Sequence, residues 1–157
     1  MAQLKERMKA PDFSLPSSEG KTIGLQDFLG KKKVVLYFYP KDDTPGCTVE
    51  ACGFRDKFRE IEKRDAVILG VSPDNEAKHK KFISKFELPF PLLCDEDKKL
   101  SEAYGVWVEK SMYGKKYMGV ARTTFIIGKD GRIESIFEKV KPDGHHDEVL
   151  SALKDKA

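Results

Sequence analysis

Six consecutive apolar and aromatic residues, Val34-Val35-Leu36-Tyr37-Phe38-Tyr39, stand between three lysines and Pro40. A run of this length bounded by charge and proline reads as a strand buried on both faces. A strand of that kind needs covering layers. The pattern that follows supplies them, because strand-like and helix-like segments alternate to the end of the chain.

A helix is expected over residues 47–63, with Val49, Cys52, Phe54, Phe58 and Ile61 close to helical spacing. Residues 66–71 form a second buried strand, ended by Ser72-Pro73. Residues 74–86 form a polar helix with Ala77, Phe82, Ile83 and Phe86 as its apolar stripe, and Ser72 or Asp74 as candidate cap. A short strand over 90–94 and a short helix over 98–104, stopped by Gly105, come next. A strand over 123–127 turns at Lys129-Asp130-Gly131 and returns over 132–138. Asp143-Gly144 opens a last helix over 145–156. Strands alternating with helices, plus a late hairpin, predict an α/β fold with a central mixed sheet flanked by helices.

The 157 residues suit one domain, and no repeat or linker interrupts them. Residues 106–121 are the least regular stretch. Trp107, Met112, Tyr113, Tyr117 and Met118 make it sticky, and Gly114 and Gly119 break its pattern. A loop near the site and a partner surface are both open for it, with plain packing on the core the favoured reading.

A net charge of +3 is too small to argue for nucleic acid. The basic runs at 31–33 and 78–81 read as solvated faces. No apolar run reaches the roughly 18 residues a membrane helix requires. The first ten residues contain no apolar secretory core, so a cytoplasmic location is the default, with a removed transit peptide left open. Three cysteines are too few for a disulfide-stapled secreted domain. A close pair in a reducing compartment is more often catalytic, redox-sensing or metal-binding than structural.

Such a pair follows the first strand directly. Cys47 comes after the turn-forming Pro45-Gly46, at the expected start of the helix, with Asp42, Asp43 and Thr44 as candidate caps. A thiol there faces unpaired N–H groups and the positive end of the helix dipole. Both favour the reactive thiolate. Cys52 lies five positions on. Helix geometry separates such residues by about 8.6 Å at Cα, whereas a disulfide wants roughly 4.4 to 6.8 Å. If the two pair, the first turns of the helix must unwind, and Gly53 eases that step. Cys52 as a packing residue on the apolar face is the alternative.

Pro40, Thr44 and Cys47 match the peroxiredoxin pattern of proline, three residues, threonine, two residues, cysteine. The stretch 37–52 closely resembles the bacterioferritin comigratory protein class, or Q class, of peroxiredoxins. Arg122, before Thr123-Thr124-Phe125, matches that family's active-site arginine. Pro11-Asp12-Phe13 and Lys141-Pro142-Asp143-Gly144-His145 also resemble the class, so the similarity spans nearly the whole chain.

The resemblance implies a thioredoxin-like fold and a thiol-dependent peroxidase acting on hydrogen peroxide and organic hydroperoxides. By that resemblance Cys47 is the peroxidatic cysteine, whose thiolate attacks one peroxide oxygen and becomes a sulfenic acid. Cys52 resolves it to a disulfide that thioredoxin or a similar dithiol resets. Thr44 donates or relays a hydrogen bond, Arg122 holds thiolate and peroxide, Pro40 shields the pocket, and Glu50 orients an arginine. No cofactor or metal is implied, and monomer and homodimer are both open. Cys94 reads as a spare thiol or an alternative partner for Cys47. His79, His145 and His146 are expected at the surface, and the His145-His146 pair lacks a third metal ligand at suitable spacing.

Two other readings share these residues. A thioredoxin-like disulfide oxidoreductase fits the fold, but typically spaces its cysteines with two residues rather than four. A redox-regulated binding module or holdase fits the sticky 106–121 segment and the unwinding helix.

Overall fold

A computed structural model of the chain describes residues 4–155. Its centre is a five-stranded sheet in the order β5 (Leu92–Cys94), β4 (Ala66–Ser72), β3 (Lys33–Phe38), β8 (Thr123–Ile127), β9 (Ile133–Phe137). The central strand β3 is the apolar run. It pairs in parallel with β4 and antiparallel with β8. β5 extends the parallel side and β9 the antiparallel side, so the sheet is mixed as expected.

Period-two alternation divides β3 between two cores. Val34, Leu36 and Phe38 face one, with Phe125 and the Tyr104 ring packed edge-on at 5.0 Å between centroids. Val35, Tyr37 and Tyr39 face the other, where Tyr37 meets Phe54 at 4.8 Å and Tyr39 at 5.4 Å. These aromatic pairs add to the area they bury, by about 0.5–1.5 kcal/mol each. The second core is roofed by α1 (Pro45–Asp56), α2 (Phe58–Glu62), α3 (Glu76–Phe86) and α5 (His145–Asp155). The first is closed by α4 (Lys99–Ala103) and by the N-terminal hairpin of β1 (Ser14–Pro16) and β2 (Thr22–Gly24).

Several local readings change. The helix expected over 47–63 starts two residues earlier, with Pro45 in its first turn, and breaks at Lys57 into α1 and α2. Its buried face is built from Cys47, Ala51 and Phe54, spaced i, i+4, i+7. Val49 falls on the opposite side and is 48% exposed, and Cys52 is only half-buried. α3 is capped by neither Ser72 nor Asp74. Asn75 caps it, its side chain accepting from the Lys78 N–H at 2.9 Å. Ser72 and Asp74 are bonded to each other instead, at 2.8 Å. Lys156, in the expected last helix, lies outside the described residues.

Residues 106–121 are not a loop, and they pack on the core only at their base, through Val106, Trp107 and Val120. They form a hairpin of β6 (Trp107–Met112) and β7 (Lys115–Val120), separate from the main sheet. Its two-residue turn places Tyr113 and Gly114 at φ 52° and 79°, the positive pair that matches hairpin twist. Val106 and Val120 at its base are buried, whereas Met112, Tyr117 and Met118 are exposed and Tyr113 is 98% exposed.

Gly70 on β4 lies opposite Tyr37 in the sheet register. A Cβ there would sit 2.6 Å from Leu92 Cδ2 and 3.0 Å from the Tyr37 hydroxyl. Gly70→Ala should therefore lower stability by about 1–3 kcal/mol through overpacking. Urea unfolding measures it. An unchanged midpoint would mean that Leu92 and Tyr37 move aside at no cost.

Candidate active site

β3 and β4 run parallel, so their C-terminal ends open on the same edge of the sheet, and β8 begins there too, Thr123 standing opposite Phe38. The chain leaves β3 through Tyr39 and Pro40, loops over 41–44 and enters α1. Arg122 immediately precedes β8. Register alone therefore brings Pro40, Thr44, Cys47 and Arg122 to one edge, although Arg122 is 75 positions from Cys47.

Thr44 is the N-cap residue of α1 in extended conformation, but its side chain caps nothing. Its hydroxyl donates to the Lys41 carbonyl at 2.9 Å. The other two candidate caps are used elsewhere. Asp42 turns into the core, and Asp43, at φ 58°, pairs with Lys85 at 2.9 Å. Cys47 is the third residue of α1 and 1% exposed. Its backbone belongs to the first turn, whose N–H groups have no partner within the helix.

Arg122 Nη2 donates to Cys47 Sγ at 3.4 Å, and Nη1 donates to Glu50 Oε1 at 2.8 Å. The guanidinium is thus fixed between the thiol and a buried carboxylate, as expected for Glu50. Burial works against the Arg122 charge, but Glu50 and Cys47 outweigh it and raise its pKa above the ordinary arginine value. Burial pushes Glu50 up to about 7, with Arg122 opposing. Its second oxygen, Oε2, has no hydrogen-bond partner among the described residues, and neither has the buried hydroxyl of Tyr37.

Gly46 does more than feed the turn. A Cβ at this position would lie 3.1 Å from Arg122 Nη2 and 3.4 Å from Pro142 Cγ, so a side chain here would crowd the guanidinium that meets the sulfur. Lys110, on β6, went unnoticed in the sequence. Burial lowers its pKa, and the Arg122 charge lowers it further while Cys47 opposes, which places its ammonium within the field of the site. One more lysine in a charged hairpin carries no sequence signal of that placement.

Cys52 sits on the same intact helix as Cys47, and both thiols are free. Cys94 is buried in β5, and burial, followed by Glu96 and nearby acids, pushes its thiol up to about 11. It is therefore protonated at neutral pH and a poor nucleophile.

Two of the three histidines expected at the surface lie inside. His79 and His145 are fully buried, because each faces inward from its helix. His145 Nε2 lies 2.8 Å from Thr124 Oγ1, and burial lowers its pKa, leaving the ring neutral. The His146 ring fills the space above Gly53, where any Cβ would collide with it. His79 joins Asp42 and Asp74 in a buried cluster whose possible ligand atoms lie within 4.8 Å of one another. Hydrogen bonds already engage these groups, to Tyr39, Ser72, the Asp42 N–H and the Leu93 carbonyl.

Residues 7–136 match the AhpC/TSA family. The chain is 53% identical over 145 residues to a putative peroxiredoxin Bcp of Coxiella burnetii, covering 92% of this chain and 95% of that one. It is 53% identical over 147 residues to peroxiredoxin Bcp of Bacillus subtilis, covering 94% and 93%. A solved structure of the Xanthomonas campestris bacterioferritin comigratory protein, described for its alkyl peroxide reduction, superposes with a TM-score of 0.90 at 40% identity, covering 97% of this chain and 99% of that one. Near-full-length identity at this level, joined to the thioredoxin-like fold and the arginine-held thiol, places the chain among the thiol-dependent peroxidases of the AhpC/TSA family, in the Bcp or Q class of peroxiredoxins.

Proposed function

We propose that the chain reduces hydrogen peroxide and organic hydroperoxides in the cytoplasm by a Cys47–Cys52 cycle reset by thioredoxin. The observation that carries the assignment of Cys47 is the Arg122 Nη2 contact at 3.4 Å to its sulfur. A full positive charge there favours the thiolate and stands where the peroxide oxygens would enter.

The Cys47 thiolate attacks one peroxide oxygen. The O–O bond breaks, the sulfur becomes a sulfenic acid, and the departing oxygen takes a proton to leave as water or an alcohol. Negative charge grows on that departing oxygen, and Arg122 is fixed by Glu50 before the reaction begins, so it needs no reorganisation to meet that charge. The Thr44 hydroxyl donates its hydrogen bond to the Lys41 carbonyl, which leaves its oxygen lone pairs free to accept from the O–H of the peroxide. In this reading Pro40, directly after β3, shields the thiolate from water, and a proline offers no N–H there.

Cys52 then attacks the sulfenic sulfur, water leaves, and a disulfide closes. Spacing forbids this on an intact α1, because about 8.6 Å separates the Cα atoms where a disulfide needs roughly 4.4 to 6.8 Å. The first turns must unwind. Val49 and Cys52 lie on the outer side of α1, so unwinding strips only Cys47, Glu50 and Ala51 from the buried face of residues 47–52. Phe54, fully buried against Tyr37, holds the rest of the helix to the sheet.

One equivalent of hydrogen peroxide added to reduced protein should lower the three thiols to one, with Cys47 and Cys52 cross-linked in the peptide map. Three surviving thiols would sink the peroxidase cycle. Cys52→Ser should still consume the first equivalent but turn over with thioredoxin at least 100-fold more slowly, since no resolving thiol remains. Normal turnover in that variant would transfer the resolving role away from Cys52.

Glu50 links the opening of α1 to pH. Its folded pKa is raised, so the folded state holds the extra proton between the ordinary value of 4.5 and about 7. That contribution is present at low pH and is lost as pH rises through this window, amounting to about 3 kcal/mol. Native protein should therefore lose more stability between pH 5 and pH 8 than Glu50→Gln, in urea titrations at the two values. Parallel losses would contradict the assignment.

A further inference from the structure

The loop over 41–44 is tied to the rest of the molecule from below. Because β3 and β4 are parallel, the residues that follow β4 lie beside the residues that follow β3, and the Tyr39 N–H still bonds to the Val71 carbonyl at 3.0 Å. Just past that bond Asp74, buried, reaches across. Its Oδ2 accepts from the Asp42 N–H at 2.8 Å and from the Ser72 hydroxyl at 2.8 Å. Asp42 is held from its other side as well, its carboxylate receiving the Tyr39 hydroxyl at 2.5 Å and lying 2.6 Å from His79 Nδ1.

The Asp42 N–H belongs to the same planar peptide as the Lys41 carbonyl. That carbonyl is the acceptor for the Thr44 hydroxyl, at 2.9 Å. Asp74 grips one edge of the peptide plane and Thr44 is bonded to the other. Turning the plane would carry the acceptor of the Thr44 hydroxyl away with it. The Asp42 carboxylate's bonds to Tyr39 and His79 hold the side chain rather than the peptide plane, and Asp43 and Lys85 meet only at the surface.

We propose that Asp74 is a positioning residue for the peroxide reaction, acting through the Lys41–Asp42 peptide to fix the direction of the Thr44 hydroxyl. The proposal rests on the peroxidase reading. It assigns a role to a residue 27 positions beyond the thiol, on a different strand–helix connection. Lys78, 3.9 Å from Asp74 Oδ1, is the nearest charge on the solvent side, and His79 faces Asp42 rather than Asp74.

Asp74→Asn and Asp74→Ala separate the acceptor from the charge. The carboxamide keeps an oxygen for the Asp42 N–H and turns its NH2 toward the exposed side. The methyl group keeps neither. The rate constant for single-turnover oxidation of Cys47 by hydrogen peroxide is the readout. Asp74→Ala should lower it about 10- to 100-fold, the cost of a misdirected group next to the reacting atoms. Asp74→Asn should stay within about threefold of native.

The decisive comparison adds Thr44→Val. If Asp74 acts through Thr44, the double variant Asp74→Ala/Thr44→Val should be no more than about threefold slower than Thr44→Val alone, whereas independent effects would multiply. Should Asp74→Ala not fold, Asp74→Ser, too short to reach the Asp42 N–H, enters the same cycle. Multiplying losses, a native rate in Asp74→Ala, or an Asp74→Asn as slow as Asp74→Ala would each overturn the proposal. Native protein that fails to consume peroxide would overturn the peroxidase reading with it.

Discussion

One guanidinium holds the site together. Arg122 donates to Cys47 on one side and to Glu50 on the other, at 3.4 and 2.8 Å, and its position answers for most of what surrounds it. It reaches the thiol because β8 starts where β3 ends. Gly46, beside it, adds no side chain to crowd it. Glu50 is buried at an energetic cost that shows in its carboxyl being pushed up to about 7. A carboxylate buried alone would be worse still. The Arg122 charge makes the burial tolerable, and in return Glu50 keeps the arginine from turning out to solvent.

On the proposed Cys47–Cys52 cycle the same helix must be firm enough to present Cys47 and loose enough to release it. α1 separates these demands along its length. Beyond Cys52 it is locked, with Phe54 fully buried and the His146 ring seated on Gly53. Up to Cys52 its outer face carries the exposed Val49 and the half-buried second thiol. Gly53 thus has two consequences at one position. It admits the histidine that pins the distal half of the helix, and its freedom from Cβ restriction eases the bend where the unwound part would begin.

The sheet was legible because its signal is local. A run such as Val34–Tyr39 has one reading, and the strands at 66–71 and 123–127 follow the same logic. Cys47, Pro40, Thr44 and Arg122 were legible as motif residues, and the structure brings them to one edge of the sheet. What the sequence hid was set by tertiary choice. His79 and His145 look like surface residues among lysines and acids, yet each sits on the inward side of its helix, satisfied by a partner far away in sequence. The hairpin of β6 and β7 was obscured because its exposed aromatics and methionines break the alternation that marks a half-buried strand. The choice of Asn75 over Asp74 as cap turned on a bond to Asp42 that no local pattern encodes.

That bond also bears on how the site survives its own cycle. If α1 opens from its first turn, the peptides on either side of Thr44 would be free to move unless something outside the helix holds them. Asp74, in the connection after β4, Tyr39, directly after β3, and His79, on α3 and bonded to the Leu93 carbonyl of β5, are outside it, and none of these elements needs to move for Cys47 to meet Cys52. The cluster is buried and its hydrogen bonds are shielded from water, so it resists opening far better than an exposed loop would. The moving part of the site then begins after Thr44, and Pro40 and the Lys41–Asp42 peptide stay in place. Re-formation of α1 on reduction would return Cys47 against a preset wall rather than against a loop that must find its conformation again.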